Sequence, residues 1–187
     1  MNEEIKSAII KALPFAIILF ILFIATKQKK IDIVDLGIKK PSSIKHYLFW
    51  AIGFLIFILL TEFSLSKLGF LEIDKWHHSL FPSIIRILGA LILAPIAEEF
   101  IFRGLLLSKL INNKLNLHFA ILIQACIFVL LHNFTYQNTF SSNIGIAQSL
   151  IDGSLFGYAR YYTKSIYTPI TMHIIGNIIA TSERFLL

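Results

Sequence analysis

From Ser7 to Thr26 the chain runs for 20 residues with Lys11 as its only charge, and Lys27, Lys29 and Lys30 follow directly. At 1.5 Å per residue a helix of that length spans the roughly 30 Å of a bilayer's hydrocarbon core. In lipid every backbone N–H and C=O must be satisfied within the protein, so such a run folds as a helix. It lacks a small-residue cleavage site and is read as a retained span, not a leader. Five further apolar runs follow: Ile44–Ser64, Ser83–Leu110, His118–Phe134, Asn143–Tyr162 and Ile166–Thr181. The expected fold is all-α, a polytopic membrane bundle of about six transmembrane helices in a cell membrane. Composition agrees, since 56% hydrophobic and 15% charged residues are too apolar a mixture for a soluble domain. The chain divides into N-terminal helices and loops (1–82) and a core (83–187). The polar stretch 65–82 has room for a short helix lying on the membrane surface.

The net charge of +6 does not indicate a nucleic-acid partner. Its lysines fall between apolar runs, where they set topology. The loops after the first, third and fifth runs carry most of them, which places those loops in the cytoplasm and both termini outside. Cys126 is the single cysteine and lies inside an apolar run, so no intrachain disulfide forms.

Against this background the third run is anomalous, because it holds Glu98, Glu99 and Arg103. Each ionised residue near the middle of a bilayer helix costs roughly 2.5–3.5 kcal/mol, about 8–10 kcal/mol for three before any pairing. They must face protein, pair, or line a wet cavity. Glu99 and Arg103 are four apart and share a helical face, suited to an ion pair. Glu98 is turned about 100° away from Glu99. Pro95 predicts a kink or break just ahead of them. On its own the trio is explained equally well by an ion-pair network that only ties helices together.

Two later pieces change the weighing. The fourth run contains Phe128-Val129-Leu130-Leu131-His132 and the sixth contains His173-Ile174-Ile175-Gly176-Asn177. Glu98 lies 16 residues before Lys114, at the turn between the third and fourth runs, and His132 lies 18 after it. In an antiparallel hairpin the two reach similar depth, roughly 25 Å from the turn. His173 and Asn177 share one face, four residues apart. Two histidines taken singly are most simply polar ties between helices. Glu98, Glu99, Arg103, His132, His173 and Asn177 together supply a general base, a second acid/base and donors for an oxyanion. Glu98, His132 and His173 also match the ligand types of a hydrolytic zinc site, although His-Glu-x-x-His is absent.

Glu-Glu-x-x-x-Arg, Phe-x-x-x-His and His-x-x-x-Asn, in that order in successive runs, resemble the three motifs of the CAAX protease and bacteriocin-processing family. The resemblance covers residues 83–181 and extends to Ala94-Pro95-Ile96-Ala97, Gly157-Tyr158 and Pro169-Ile170. It implies an intramembrane endopeptidase akin to the type II CAAX prenyl protease. By this resemblance Glu98 activates water with His132 as partner, His173 and Asn177 stabilise the oxyanion, and Glu99 and Arg103 support the site. It implies metal-free hydrolysis, with zinc on Glu98, His132 and His173 as the alternative. The implied partners are membrane lipid and a peptide or protein substrate, prenylated or bacteriocin-like. Two other classes compete. One is a non-enzymatic self-immunity or scaffold protein of the same fold. The other is an ion-coupled carrier, against which the lack of paired halves with matching broken helices argues.

The remaining polar residues have plainer readings. His77 and His78 are expected in solvent, and His46 and His118 at span ends. Asp152, deep in the fifth run, is expected first as a structural tie. Gly153-Ser154-Leu155-Phe156-Gly157 offers a small-residue face for close helix packing, and Tyr158, Tyr161, Tyr162 and Tyr167 form an aromatic belt.

Overall fold

The computed structural model describes residues 2–70, 73–132 and 137–186. Among them every regular element is helical: α1 (Glu3–Lys27), α2 (Ile33–Leu36), α3 (Ile44–Lys67), α4 (Leu80–Asn112), α5 (Leu117–Leu130), α6 (Phe140–Thr163) and α7 (Tyr167–Leu186). The fold is an all-α membrane bundle. Helices α1, α3 and α4 are long and apolar enough to cross a membrane, and α5 is a shorter apolar helix. Large apolar side chains point outward along them, among them Phe20, Phe49 and Leu60, each more than 60% exposed. An apolar surface of this extent belongs in lipid.

Helix α4 organises the rest. It runs unbroken for 33 residues, but the stretches Gly89–Leu93 and Phe100–Leu106 are π-helical. Pro95 has no N–H to give and its ring crowds the carbonyl four residues back. The widened turn before it accommodates both, so the expected break takes the form of two π turns that bracket Ala94–Glu99.

Helix α1 packs on the first half of α4. The approach is close: a Cβ on Gly89 would lie 3.1 Å from that of Ala12. Helix α3 lies against α7 and α6, where Phe54, Ile58, Phe156, Ala159 and Met172 form a buried core. Helices α5 and α6 meet along the small-residue face. There a Cβ on Gly153 would lie 3.3 Å from that of Ala125, and one on Gly157 would lie 3.1 Å from Ile121.

The lysine-rich loop is anchored to the bundle. Asp32 caps α2 by accepting from the Val34 N–H, Leu36 is buried against Gly104, and Gly37 ends the helix at φ 72°. The Gly37 carbonyl accepts from the Ile166 N–H at 2.9 Å. In the 65–82 connection, described residues 73–79 are not helical, and α4 begins at Leu80. The expected surface helix is absent from that part, because Trp76 turns inward. Its Nε1 donates to Ser83 Oγ at 2.7 Å and its ring stacks on Phe185.

Candidate active site

The core of the site is a buried relay on Glu99. Both Glu99 and Arg103 are fully buried, and Arg103 Nη1 donates to Glu99 Oε1 at 2.9 Å, as their four-residue spacing predicted. The same oxygen accepts from His173 Nδ1 at 2.9 Å. A carboxylate accepts only, so His173 is held with its proton on Nδ1 and its Nε2 turned outward. Arg103 is enclosed by the rings of Phe102, Phe128 and Phe156, with its guanidinium carbon 5.8, 4.7 and 5.2 Å from their centroids. Its second arm, Nη2, donates to the Gly153 carbonyl at 3.0 Å. The guanidinium thereby ties α4 to α6, and Glu99 ties α4 to α7 through His173.

Glu98, turned off that face, puts Oε2 3.7 Å from His173 Nε2. That is too long for a direct hydrogen bond but suited to a shared water. Its side chain is 17% exposed, so it is accessible where Glu99 is not. Glu98 also lies within electrostatic reach of His132.

His132 arrives by a route the spacing did not predict. Helix α5 stops at Leu130, so His132 sits just beyond its end instead of inside a span, and residues 133–134 of the expected run lie outside the described residues. A 14-residue helix rises only about 21 Å, which leaves its C-terminus at membrane depth. Carbonyls of a last turn lack helical partners. His132 Nδ1 donates to that of Phe128 at 2.8 Å, and the Phe128 ring packs on the imidazole at 4.6 Å. The Nδ1 proton is thus fixed here too. The Phe-x-x-x-His motif is this contact: the phenylalanine supplies both a carbonyl and a ring to its histidine.

His132, His173 and Asn177 line a cavity of about 380 Å³. Asn177 Nδ2 donates to the Ala90 carbonyl at 2.8 Å, bridging α7 to the first π turn of α4. Glu62, Gln148 and Asp152 line the same cavity. Gln148 Nε2 donates to Glu62 Oε1, whereas Asp152 Oδ1 is buried without a hydrogen-bond partner. Asp152 therefore lines the cavity instead of tying helices, against the first reading of it. Glu62 was passed over because it sits near the end of its span.

Gln124 was missed as well. It is fully buried, and its Nε2 donates to the carbonyls of Gly153 (2.8 Å) and Ile121 (2.9 Å), sharing the Gly153 acceptor with Arg103. The signal was present: Gln124, Phe128 and His132 recur every four residues.

Among the described residues no three His, Cys, Asp or Glu side chains are placed to hold one metal ion. The zinc alternative on Glu98, His132 and His173 has no preassembled ligand set among them.

The arrangement pairs an accessible carboxylate and two oriented imidazoles with a buried ion pair, all within an apolar bundle. A family model described as type II CAAX prenyl endopeptidase Rce1-like matches residues 80–179, more than half of the chain. The chain belongs to this family. The match begins at the first residue of α4 and covers every residue of the relay on Glu99. No curated protein and no solved structure matches the chain. The family is in general one of proteases, whose substrates are peptides or proteins, and membership accords with the apolar helices of a membrane protein.

Proposed function

We propose that this chain is a multi-pass endopeptidase of the cell membrane, hydrolysing a peptide bond of a membrane-associated substrate by metal-free water attack. The observation that carries the reading is the division of labour between adjacent glutamates. Glu99 is sealed, neutralised by Arg103 and bonded to His173, whereas Glu98 is partly open and faces the same imidazole at 3.7 Å. A purely structural network needs only the first. Glu98 takes a proton from a water lodged between it and His173, and the resulting hydroxide attacks the scissile carbonyl. The carbonyl π electrons move to its oxygen, giving a tetrahedral oxyanion. The proton taken by Glu98 passes to His173 Nε2, and that N–H and the Asn177 amide donate to the oxyanion. Collapse breaks the C–N bond, and the same proton reaches the leaving amine directly or through His132. Prenylated tails and bacteriocin-like peptides are the substrate classes this reading raises.

Expressing wild type, Glu98→Ala and His132→Ala at equal levels and comparing membrane and secreted peptides by mass spectrometry tests it. New termini are expected only with wild type, with hydrolysis by the purified variants down about 10²–10⁴-fold. Full proteolysis by either folded variant would sink the assignment. Identical peptide profiles, with a host phenotype rescued equally by all three forms, would establish a non-catalytic immunity or scaffold role instead.

A further inference from the structure

A second polar cavity, of about 320 Å³, opens at the other end of the bundle, where α6 passes into α7. Lys39, Arg103, Ser108, Arg160, Tyr162 and Lys164 contribute to its wall, and no carboxylate does. Arg103 is committed to Glu99, but the other three cations are not neutralised. The ion pairs among the described residues involve Lys6, His78, Arg103 and His173 only. Arg160 is the built element. Among the described residues its buried Nε has no hydrogen-bond partner, and its one polar contact is a long 3.5 Å approach to the Asp35 carbonyl. Its guanidinium occupies the space over Gly37, where a Cβ would fall 2.2 Å from Nη2. Gly37, at φ +72°, is the residue type that leaves that space open. The chain therefore holds an arginine fork in place beside two lysines, and no carboxylate among the described residues pairs with it.

The level of the cavity identifies the anion. Tyr161 and Tyr162 are 42% and 53% exposed at its rim, and Trp50 stacks on Tyr162 at 6.4 Å. Exposed aromatics gathered in this way mark the headgroup level of a membrane. Basic clefts between helices at that level bind phosphate-bearing headgroups, and an arginine fork matches phosphate geometry. We propose that the cleft formed by Lys39, Arg160 and Lys164 binds a phosphate group, presented by the headgroup of an anionic lipid.

The full-length protein in dodecylmaltoside, titrated with phosphatidylglycerol or phosphatidylcholine and read by native mass spectrometry, tests this. Wild type should retain phosphatidylglycerol in preference to phosphatidylcholine. Each cation removed should weaken retention about fivefold, so Lys39→Gln/Lys164→Asn should lose roughly 25-fold. Both lysines are exposed and asparagine suits the left-handed backbone at Lys164, so this variant folds even if Arg160→Gln does not. The control is Lys40→Gln/Lys45→Gln, which removes the same charge from two exposed lysines that do not line the cleft, one in the α2–α3 loop and one in the first turn of α3. An equal loss in the control, or no preference in wild type, would overturn the site. Inorganic phosphate alone is the second arm. Thermal stabilisation by it, sensitive to Lys39→Gln/Lys164→Asn, without retention of phosphatidylglycerol would overturn lipid as the source.

Discussion

Replacing Arg103 by methionine separates the two jobs that the buried pair performs. Methionine fills much of the same apolar volume among Phe102, Phe128 and Phe156, so little of the effect is a void. What it removes is the guanidinium that neutralises a fully buried carboxylate at 2.9 Å. Leaving one member of a buried ion pair uncompensated costs about 3–5 kcal/mol. The Gly153 carbonyl suffers less, because Gln124 still donates to it at 2.8 Å. In Glu99→Gln/Arg103→Met the unpaired charge is gone, and a glutamine carbonyl still accepts from His173 Nδ1. The remaining loss is the two Arg103 hydrogen bonds, one of them to a carbonyl that Gln124 still serves, and the cation–ring contacts, roughly 1–2 kcal/mol. The double variant should therefore be more stable than the single by about 2–3 kcal/mol, a non-additivity expected only of residues in direct contact. For a chain of this size 1 kcal/mol corresponds to roughly 2–4 °C, so the single variant should melt about 6–20 °C below wild type and the double should recover over half of that. Intrinsic fluorescence of Trp50 and Trp76 in detergent reads the transition. A thiol-reactive dye would not, since Cys126 is exposed in the folded state. A single variant within 2 °C of wild type, or a double variant no better than the single, would refute the electrostatic account.

Further outcomes follow from the same contacts. Gly153→Ala should cost about 1–3 kcal/mol by overpacking, since its Cβ would lie 3.2 Å from Arg103 Nη2, whereas Gly53→Ala meets nothing within 4 Å and should be neutral or slightly stabilising in the same melting assay. Asp152→Asn should raise the melting temperature by a few degrees, because it exchanges an unpartnered buried carboxylate oxygen for a neutral amide. Asn177→Ala should lower kcat for peptide hydrolysis about 10²–10³-fold with KM nearly unchanged, as expected for a donor that acts on the oxyanion. Extensive treatment with a chelator should leave hydrolysis intact, and loss restored by added zinc would favour the ligand set Glu98, His132 and His173.

The parts legible in the sequence are those governed by one-dimensional period and by cost. Apolar runs of bilayer length predict the helices, because lipid allows no other economy of backbone hydrogen bonds. The Glu99–Arg103 pair followed from four-residue spacing within one helix, and the Gly153/Gly157 face from the same rule. Less legible was anything that depends on where a helix ends. Helix α5 was expected to run to Phe134, but it stops at Leu130 and hands its last-turn carbonyl to His132. Hydropathy does not register this, since Leu130 and Leu131 are as apolar as the residues before them.

The cavity wall was hardest to foresee, for a physical reason. Glu62, Gln148 and Asp152 come from α3 and α6, and their juxtaposition depends on the packing of two helices whose facing residues, Glu62 and Gln148, are 86 apart in the chain. Asp152 taken alone reads as a tie, because most buried carboxylates find a donor. Only the packed bundle shows that its Oδ1 has none and that Arg103, the nearest candidate by chemistry, is already spent on Glu99 and Gly153. A membrane helix that carries an unsatisfied carboxylate gives up stability, and such losses persist where a cavity must hold water or a polar ligand. Stabilisation by Asp152→Asn combined with impaired hydrolysis would show that the cavity's polarity is kept for its contents and not for the fold.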